Sequence, residues 1–316
     1  MNLGLHQSSL TLDWFTPGYW PATAPRLFKL EQNRPAKPDA LLVLACWNSS
    51  TDYSITPKAG HLMLRSGLLA LAICASSTTF ASGQQTGDLK ITFKLKGDAP
   101  KPQRIAVPAG FCAAANLFDE SLIVNQQNKG VANVVVHVYT GARRGVQLPP
   151  LPVTNKQHTL QSLNCRYEPH VLIAQAGDSL NIINRDPVAC IGNLACLKNK
   201  PQNLNLPPNQ QRTIKLDFAE PAPIPVQCNV RPWLEMWLLV LDHPYAAVSD
   251  GNGALIIKDL PAGEKLVFRA FHERGTFKNE IYINGKRDLW KQNRFELRIK
   301  PGLNDLGSVE IPATEF

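Results

Sequence analysis

Cys228-Asn229-Val230-Arg231-Pro232-Trp233-Leu234 is the stretch on which the reading of this chain turns. It is entered from Pro225-Val226-Gln227-Cys228, a short strand-like segment, and it leads into Leu234-Glu235-Met236-Trp237-Leu238-Leu239-Val240-Leu241, a strongly apolar run. A thiol is thus delivered to a tight loop between two strands. In that loop Cys228 is the soft electron-pair donor, while Arg231 keeps its proton and Leu234 has no lone pair. Upstream, Asn184-Arg185-Asp186-Pro187-Val188-Ala189-Cys190-Ile191 supplies a second thiol, Cys190, again just after a strand-like run.

Outward from these two segments the pattern is β. Leu89-Lys90-Ile91-Thr92-Phe93-Lys94-Leu95 alternates apolar and polar residues as a half-buried strand does, and Val134-Val135-Val136-His137-Val138-Tyr139 is β-branched enough for a core strand. Further strands are expected at 170–174, 179–184, 211–218 and 225–228, with Pro- and Asn-rich loops between them. Beyond His243-Pro244 the segment 246–257 reads as strand, tight turn, strand, because Asp250-Gly251 and Asn252-Gly253 accept the positive φ of hairpin turns. Strands at 266–272, 295–299 and 306–311 follow, with a hairpin at Tyr282-Ile283-Asn284-Gly285-Lys286. Many short strands without a long amphipathic helix predict an all-β fold of antiparallel sandwiches.

The chain has 316 residues, enough for two domains. Met63-Leu64-Arg65-Ser66, the apolar run 67–75 and Thr79-Phe80-Ala81 before Ser82 have the basic start, short apolar centre and small-residue cleavage site of a secretory signal. The apolar run is about half the length that spans a bilayer. The expected organisation is therefore a misannotated or disordered extension over 1–62, a signal peptide over 63–82, a first domain over 83–243 and a second over 244–316. Lipidation at Cys74 is disfavoured because bulky Ile73 stands where a small residue is wanted. The mature protein is expected to be secreted or periplasmic, without a transmembrane segment.

Net charge is +8, and the excess lies around Lys286, Arg287, Lys291, Arg294, Arg298 and Lys300. With few aromatics among them, these bases read as a solvated face rather than a nucleic-acid site. An anionic partner or envelope surface is the other reading. Of seven cysteines, Cys46 and Cys74 precede the cleavage site, which leaves Cys112, Cys165, Cys190, Cys196 and Cys228. Five thiols in an oxidising compartment predict up to two disulfides and one free thiol. Asp119-Glu120 beside Ser121 reads as a solvated turn, and no nucleophile elbow, phosphate loop or zinc signature is present, so no catalytic residue and no enzyme activity is expected.

The Cys228 loop resembles the copper loop of amicyanin-type blue-copper proteins, Cys-x-x-His-Pro-x-Met, and the segment 184–191 resembles their Asn-x-Asp-Pro-Val-Gly-His-Asn. With Cys165-Arg166-Tyr167-Glu168-Pro169-His170-Val171 and Asp242-His243-Pro244-Tyr245, the chain from about Gly87 onward is similar to secreted bacterial proteins called methylamine-utilisation or plastocyanin-like. Residues 246–272, with an Asp-x-x-Gly turn and Leu260-Pro261-Ala262-Gly263, resemble the small sandwich modules related to carboxypeptidase regulatory domains. The resemblance implies a cupredoxin-like antiparallel sandwich followed by a smaller β-sandwich module. It also implies a degenerate type 1 copper site, since that site needs two imidazoles and a thiolate with a weak axial donor. Cys228 stands at the thiolate position, Cys190 and Arg231 at the two imidazoles, Leu234 at the axial sulfur and Ile191 at a bracing asparagine. Met236, on the strand beyond, is expected to pack.

Cys190 and Cys228 should then lie close together. A disulfide staple or a pair of inert buried thiols is favoured over two thiolates holding a soft ion with help from Cys196 or a histidine. Cys190–Cys196 is a competing bridge and Cys112–Cys165 the second one. His170, His243 and His272 are the histidines a metal would recruit, and each is expected to be structural; His137 and His158 have less to recommend them. The functional expectation is a copper-free structural or binding module with an unidentified protein or envelope partner and no cofactor. The alternative is a copper-binding electron carrier with an altered thiolate site.

Overall fold

The computed structural model describes residues 85–277 and 280–316, so the expectations for the extension and the signal peptide lie outside the described residues. Among the described residues there are eighteen strands, three 3-10 turns and no α-helix. In chain order the strands begin β1 (Thr86–Lys96), β2 (Val135–Val138), β3 (Gln157–Leu163), β4 (Arg166–Glu168), β5 (Val171–Gln175) and β6 (Ser179–Asn184). They continue β7 (Cys190–Leu194), β8 (Gln202–Leu206), β9 (Gln211–Lys215), β10 (Ile224–Cys228), β11 (Arg231–Leu241) and β12 (Ala246–Val248). The last six are β13 (Ala254–Pro261), β14 (Lys265–Phe271), β15 (Ile281–Ile283), β16 (Lys286–Asp288), β17 (Arg294–Arg298) and β18 (Gly302–Pro312).

Alternation decides β1: Leu89, Ile91, Phe93 and Leu95 all turn inward and are buried, each contributing roughly 1.5–3 kcal/mol. Its neighbours come from the far end of the chain, β13 antiparallel on one side and β18 parallel on the other. The sheet order is β13-β1-β18-β15-β16, and the facing sheet is β12-β2-β14-β17. Phe93, Phe268, Phe277 and Trp290 fill the space between them, with Trp290 edge-on to Phe93 at 6.2 Å. The Asn284-Gly285 turn joining β15 to β16 has positive φ at both residues (50° and 79°), as expected of that hairpin.

A second sandwich stands between β2 and β12 in the sequence. Its sheets are β5-β11-β10-β7-β8 and β4-β3-β6-β9. Leu160, Leu180 and Ile182 from one sheet meet Val226, Leu234, Met236 and Leu238 from the other in a single buried cluster. The chain leaves the first sandwich after β2 and returns at β12, where His137 pairs with Ala246. Residues before β3, expected in the first domain with the cysteine loop, instead give β1 and β2 to the sandwich built by residues 244–316. The cause is partner choice: the buried face of β1 is completed by residues of β13, β14 and β18.

Two further expectations change. The sheets are mixed rather than antiparallel, because β1 with β18, β3 with β6 and β5 with β11 run parallel. The strands at 246–257 do not pair with each other: β12 joins β2 and β13 joins β1, so the Asp250–Gly253 turn is a corner between sheets. Gly253 is required there, at φ +79° and with the Phe93 carbonyl at 2.0 Å from where a Cβ would be. The Asn-rich segments Cys190–Leu194 and Gln202–Leu206, expected as loops, are strands that pair with each other, with Cys190, Leu194 and Leu206 inward.

The two sandwiches meet through Val135, Val171 and Leu239, with Trp237 against Phe271 at 5.3 Å. Glu273 accepts hydrogen bonds from His170 Nε2 at 2.5 Å and Trp237 Nε1 at 3.0 Å, tying the end of one sandwich to the other.

Asp178, buried in the β5–β6 turn, holds that corner. It accepts from Thr154 Oγ1, the Lys156 and Gln175 backbone N–H groups and His158 Nε2, at 2.7–2.9 Å. Burial alone would raise its pKa; the hydrogen bonds, His158's first, outweigh it and hold the carboxyl at about 2. A depressed pKa contributes stability above the unfolded value, near 3.8, that is lost as pH falls through the folded one. We therefore expect about 2 kcal/mol of stability to disappear between about pH 4 and pH 2. Urea midpoints at pH 5 and pH 2.5 should converge for Asp178→Ala relative to the unsubstituted protein; equal acid losses in both would refute this role.

Candidate functional site

The turn Asn229-Val230 closes β10 onto β11, placing Cys228 directly opposite Arg231. On the other side β10 pairs with β7, with Cys228 opposite Gly192, and the Asn229 N–H donates to the Ile191 carbonyl at 2.9 Å. Cys190 begins β7 two residues before Gly192, which puts it on the face of Cys228. Both are free thiols, and each residue is 1% exposed.

The pair is electrically asymmetric. The Cys190 thiol, then the backbone of the turn, hold the Cys228 pKa below the ordinary thiol value in spite of burial. Cys190 moves the other way, first because of Cys228 beside it and then because it is buried. Tyr167 reaches the same place, its hydroxyl 3.2 Å from Cys190 Sγ, and burial followed by the neighbouring thiol charge raises its pKa.

Arg231 fills the rest. Its Nη1 donates to Asp186 Oδ2 at 2.8 Å and its Nη2 to the Ala189 carbonyl at 3.3 Å. Asp186 is braced by Ser162 Oγ at 2.6 Å and by the Cys165 N–H at 3.2 Å. Cys112 and Cys165 form the expected disulfide, with Cα atoms 5.7 Å apart, and Arg231 Nη1 lies 3.9 and 3.7 Å from their sulfurs. Burial opposes the arginine's charge, but Asp186 and the two thiols sustain it.

Cys190 and Cys228 are thus together, as expected, and unbridged: both are free thiols, as is Cys196. Cys196 stands apart beside Glu220, and burial, then that carboxylate, pushes its thiol up to about 11. The Cys190–Cys196 bridge is not formed. Leu234 and Met236 are fully buried in the sandwich core, where Met236 lies opposite Val226. The described histidines are all engaged elsewhere: His170 with Glu273, His158 with Asp178, His137 and His243 with the Val138 carbonyl, and His272 with the backbone N–H groups of Arg274 and Gly275. Among the described residues no group of three or more His, Cys, Asp and Glu side chains is placed to hold a metal ion.

These donors do not fit type 1 copper. At the positions that the sequence resemblance assigns to the ligands, a guanidinium paired with a carboxylate, a second thiol and an alkyl group stand in place of two imidazoles and an axial sulfur. Sequence reasoning singled out Cys190, Cys228, Arg231 and Leu234, of which the first three come together at the ends of β7, β10 and β11, and it overlooked Asp186, Tyr167 and Ser162. Asp186 lay within the quoted segment, and a buried arginine needs a carboxylate; that was the available signal.

No protein-family model matches the chain, and no curated protein matches it. Solved structures match parts of it. A copper-containing nitrite reductase from Thermus scotoductus SA-01 is 17% identical over 33% of this chain and 25% of its own, with a TM-score of 0.25. A reduced amicyanin variant is 16% identical over 28% of this chain and 85% of its own, with the same TM-score. An oxidised amicyanin variant is 14% identical over 33% of this chain and 91% of its own, with a TM-score of 0.24. The chain spans about a quarter of the nitrite reductase's length. Likenesses this faint carry no argument about chemistry, and the all-β sandwich architecture stands on the strands themselves.

The basic residues of the last third occupy β16 and the neighbourhood of β17, where Lys286, Arg287, Lys291, Arg298 and Lys300 are exposed. No helix among the described residues is long and apolar enough to cross a membrane.

Proposed function

We propose that this is a secreted or periplasmic structural or binding module whose inserted, cupredoxin-like sandwich carries a degenerate, copper-free version of a type 1 copper site. The observation that carries the reading is the Arg231–Asp186 ion pair, 2.8 Å long with both side chains buried. It puts a fixed positive charge where a metal would require a neutral electron-pair donor. The partner is a protein or envelope component rather than nucleic acid, since the exposed bases lack interleaved aromatics.

The competing reading is a copper-binding electron carrier that relies on the retained Cys228 thiolate. Cu(II) added to the reduced protein separates the two. We expect no intense thiolate-to-copper absorption in the visible range. A strong band that disappears in Cys228→Ala would overturn the copper-free reading.

A further inference from the structure

The sheet β12-β2-β14-β17 turns one face into the first sandwich and the other toward the second. Leu266, Phe268 and Ala270 fill the inner face of β14, so Arg269 lies on the outer one. There it belongs to a basic row, opposite His137 of β2 on one side and Arg294 of β17 on the other. Like charges directly opposite each other destabilise a sheet, so such a row calls for a counter-anion. The four strands hold one carboxylate, Glu296, and Lys265 is paired with it. Arg294 is partly relieved by the Arg143 carbonyl, to which its Nη1 donates at 2.8 Å. Among the described residues Arg269 has no hydrogen bond or ion pair; its guanidinium lies 5.9 Å from the centre of the Tyr139 ring.

Arg269 also lines a cavity of about 280 Å³ between the two sandwiches. Phe271, two residues along β14, shares its face, and Leu239, Pro221 and Pro223 line the cavity from the second sandwich. A volume at the small end of the ligand-pocket range suits a molecule of about one ring. The two carboxylates at the cavity do not serve Arg269. Glu220 is buried and accepts from the backbone N–H groups of Leu197, Lys198 and Asn199. Asp242, its side chain 59% exposed, accepts from Thr140 Oγ1 at 3.3 Å, and exposed Lys198 balances its charge at the rim. His137 Nδ1 lies 2.9 Å from the Val138 carbonyl, which can only accept, so the proton sits on Nδ1 and Nε2 carries a lone pair. Burial lowers the His137 pKa to about 4, so this ring adds no second charge.

We infer that the cleft between the sandwiches binds a small aromatic carboxylate, its carboxyl group paired with Arg269 and its ring against Phe271, Leu239 and the prolines of 221–223. A guanidinium matches a carboxylate with two parallel hydrogen bonds, and a single free guanidinium selects a single negative charge. The apolar walls reward a ring, which inorganic phosphate lacks. The cleft lies at the end of β11 remote from Arg231, so the site is independent of the thiols and of the copper-free reading.

Calorimetric titration of the full chain with benzoate tests this, with benzyl alcohol as the uncharged counterpart and inorganic phosphate as the anion without a ring. We expect saturable benzoate binding at about millimolar concentration or below, and at least about tenfold weaker binding of the alcohol and of phosphate. Arg269→Gln should weaken benzoate about tenfold to a hundredfold, the range for hydrogen bonds to a charged group. Arg298→Gln, exposed on the same sheet outside the cavity, should leave the affinity unchanged. In the unsubstituted protein, benzoate should shift the amide resonances of residues 137–141 and 219–223, which locates the site even if Arg269→Gln folds badly. Benzyl alcohol or phosphate binding as tightly as benzoate overturns the proposal. So does an undiminished affinity in folded Arg269→Gln, or shifts confined to the basic residues 286–300.

Discussion

Asp186→Ala is expected to destabilise the protein by about 3–5 kcal/mol, the range for removing one partner of a buried ion pair. The Asp186 side chain is 1% exposed and that of Arg231 is 7% exposed, so truncation strands a guanidinium in the core with no water to take up its charge. Ser162 Oγ and the Cys165 N–H lose their acceptor at the same time. Such a loss is a large share of the 5–15 kcal/mol that holds a typical domain folded. Urea unfolding followed by far-ultraviolet circular dichroism measures it. Asp186→Leu combined with Arg231→Leu removes both charges and should recover part of the loss. A midpoint unchanged in Asp186→Ala would refute this role for the ion pair.

Removing the Cys112–Cys165 bridge should cost about 4 kcal/mol on the chain-entropy scale, since it closes a 53-residue separation. The bridge fastens the 3-10 turn Phe111–Ala115 to the β3–β4 corner. The backbone of the flanking segment is otherwise paired mainly with itself, as in Ile105 N–H to the Leu117 carbonyl and Asp119 N–H to the Gln103 carbonyl, with buried Leu117 and the Arg166–Glu120 ion pair as side-chain ties. The double variant Cys112→Ser/Cys165→Ser avoids leaving an odd thiol beside Arg231. Its thermal midpoint should fall, and proteolysis should begin within residues 99–120. A midpoint equal to that of the unsubstituted protein, with residues 99–120 still protected, would show that local contacts suffice.

Strands were legible where an apolar or β-branched run marks them. β1, β6, β10 and β14 announced themselves through alternation or β-branching, and the structure places them within three residues of expectation. β7 and β8 were hidden because each is short and interrupted by glycine or asparagine: β7 buries alternate residues around Gly192, and β8 buries only Leu206. Pairing was the harder problem. β1 looks like the opening strand of whatever follows it, yet it lies beside Gly302–Pro312, more than two hundred residues away, and periodicity says nothing about partners. Around the thiols the sequence revealed which donors had been replaced. It did not reveal that Arg231 had acquired its own counter-ion, because a salt bridge between residues 45 apart leaves no local pattern.

The parallel pairing of β1 with β18 also decides how the molecule would answer to tension. Pulling residues 86 and 312 apart loads that ladder in shear along its full length, so many hydrogen bonds must break at once. The inserted sandwich leaves and rejoins at adjacent positions of β2 and β12, which keeps it off the line of force. The buried sulfurs of that sandwich would stay shielded until the β1–β18 ladder had already given way.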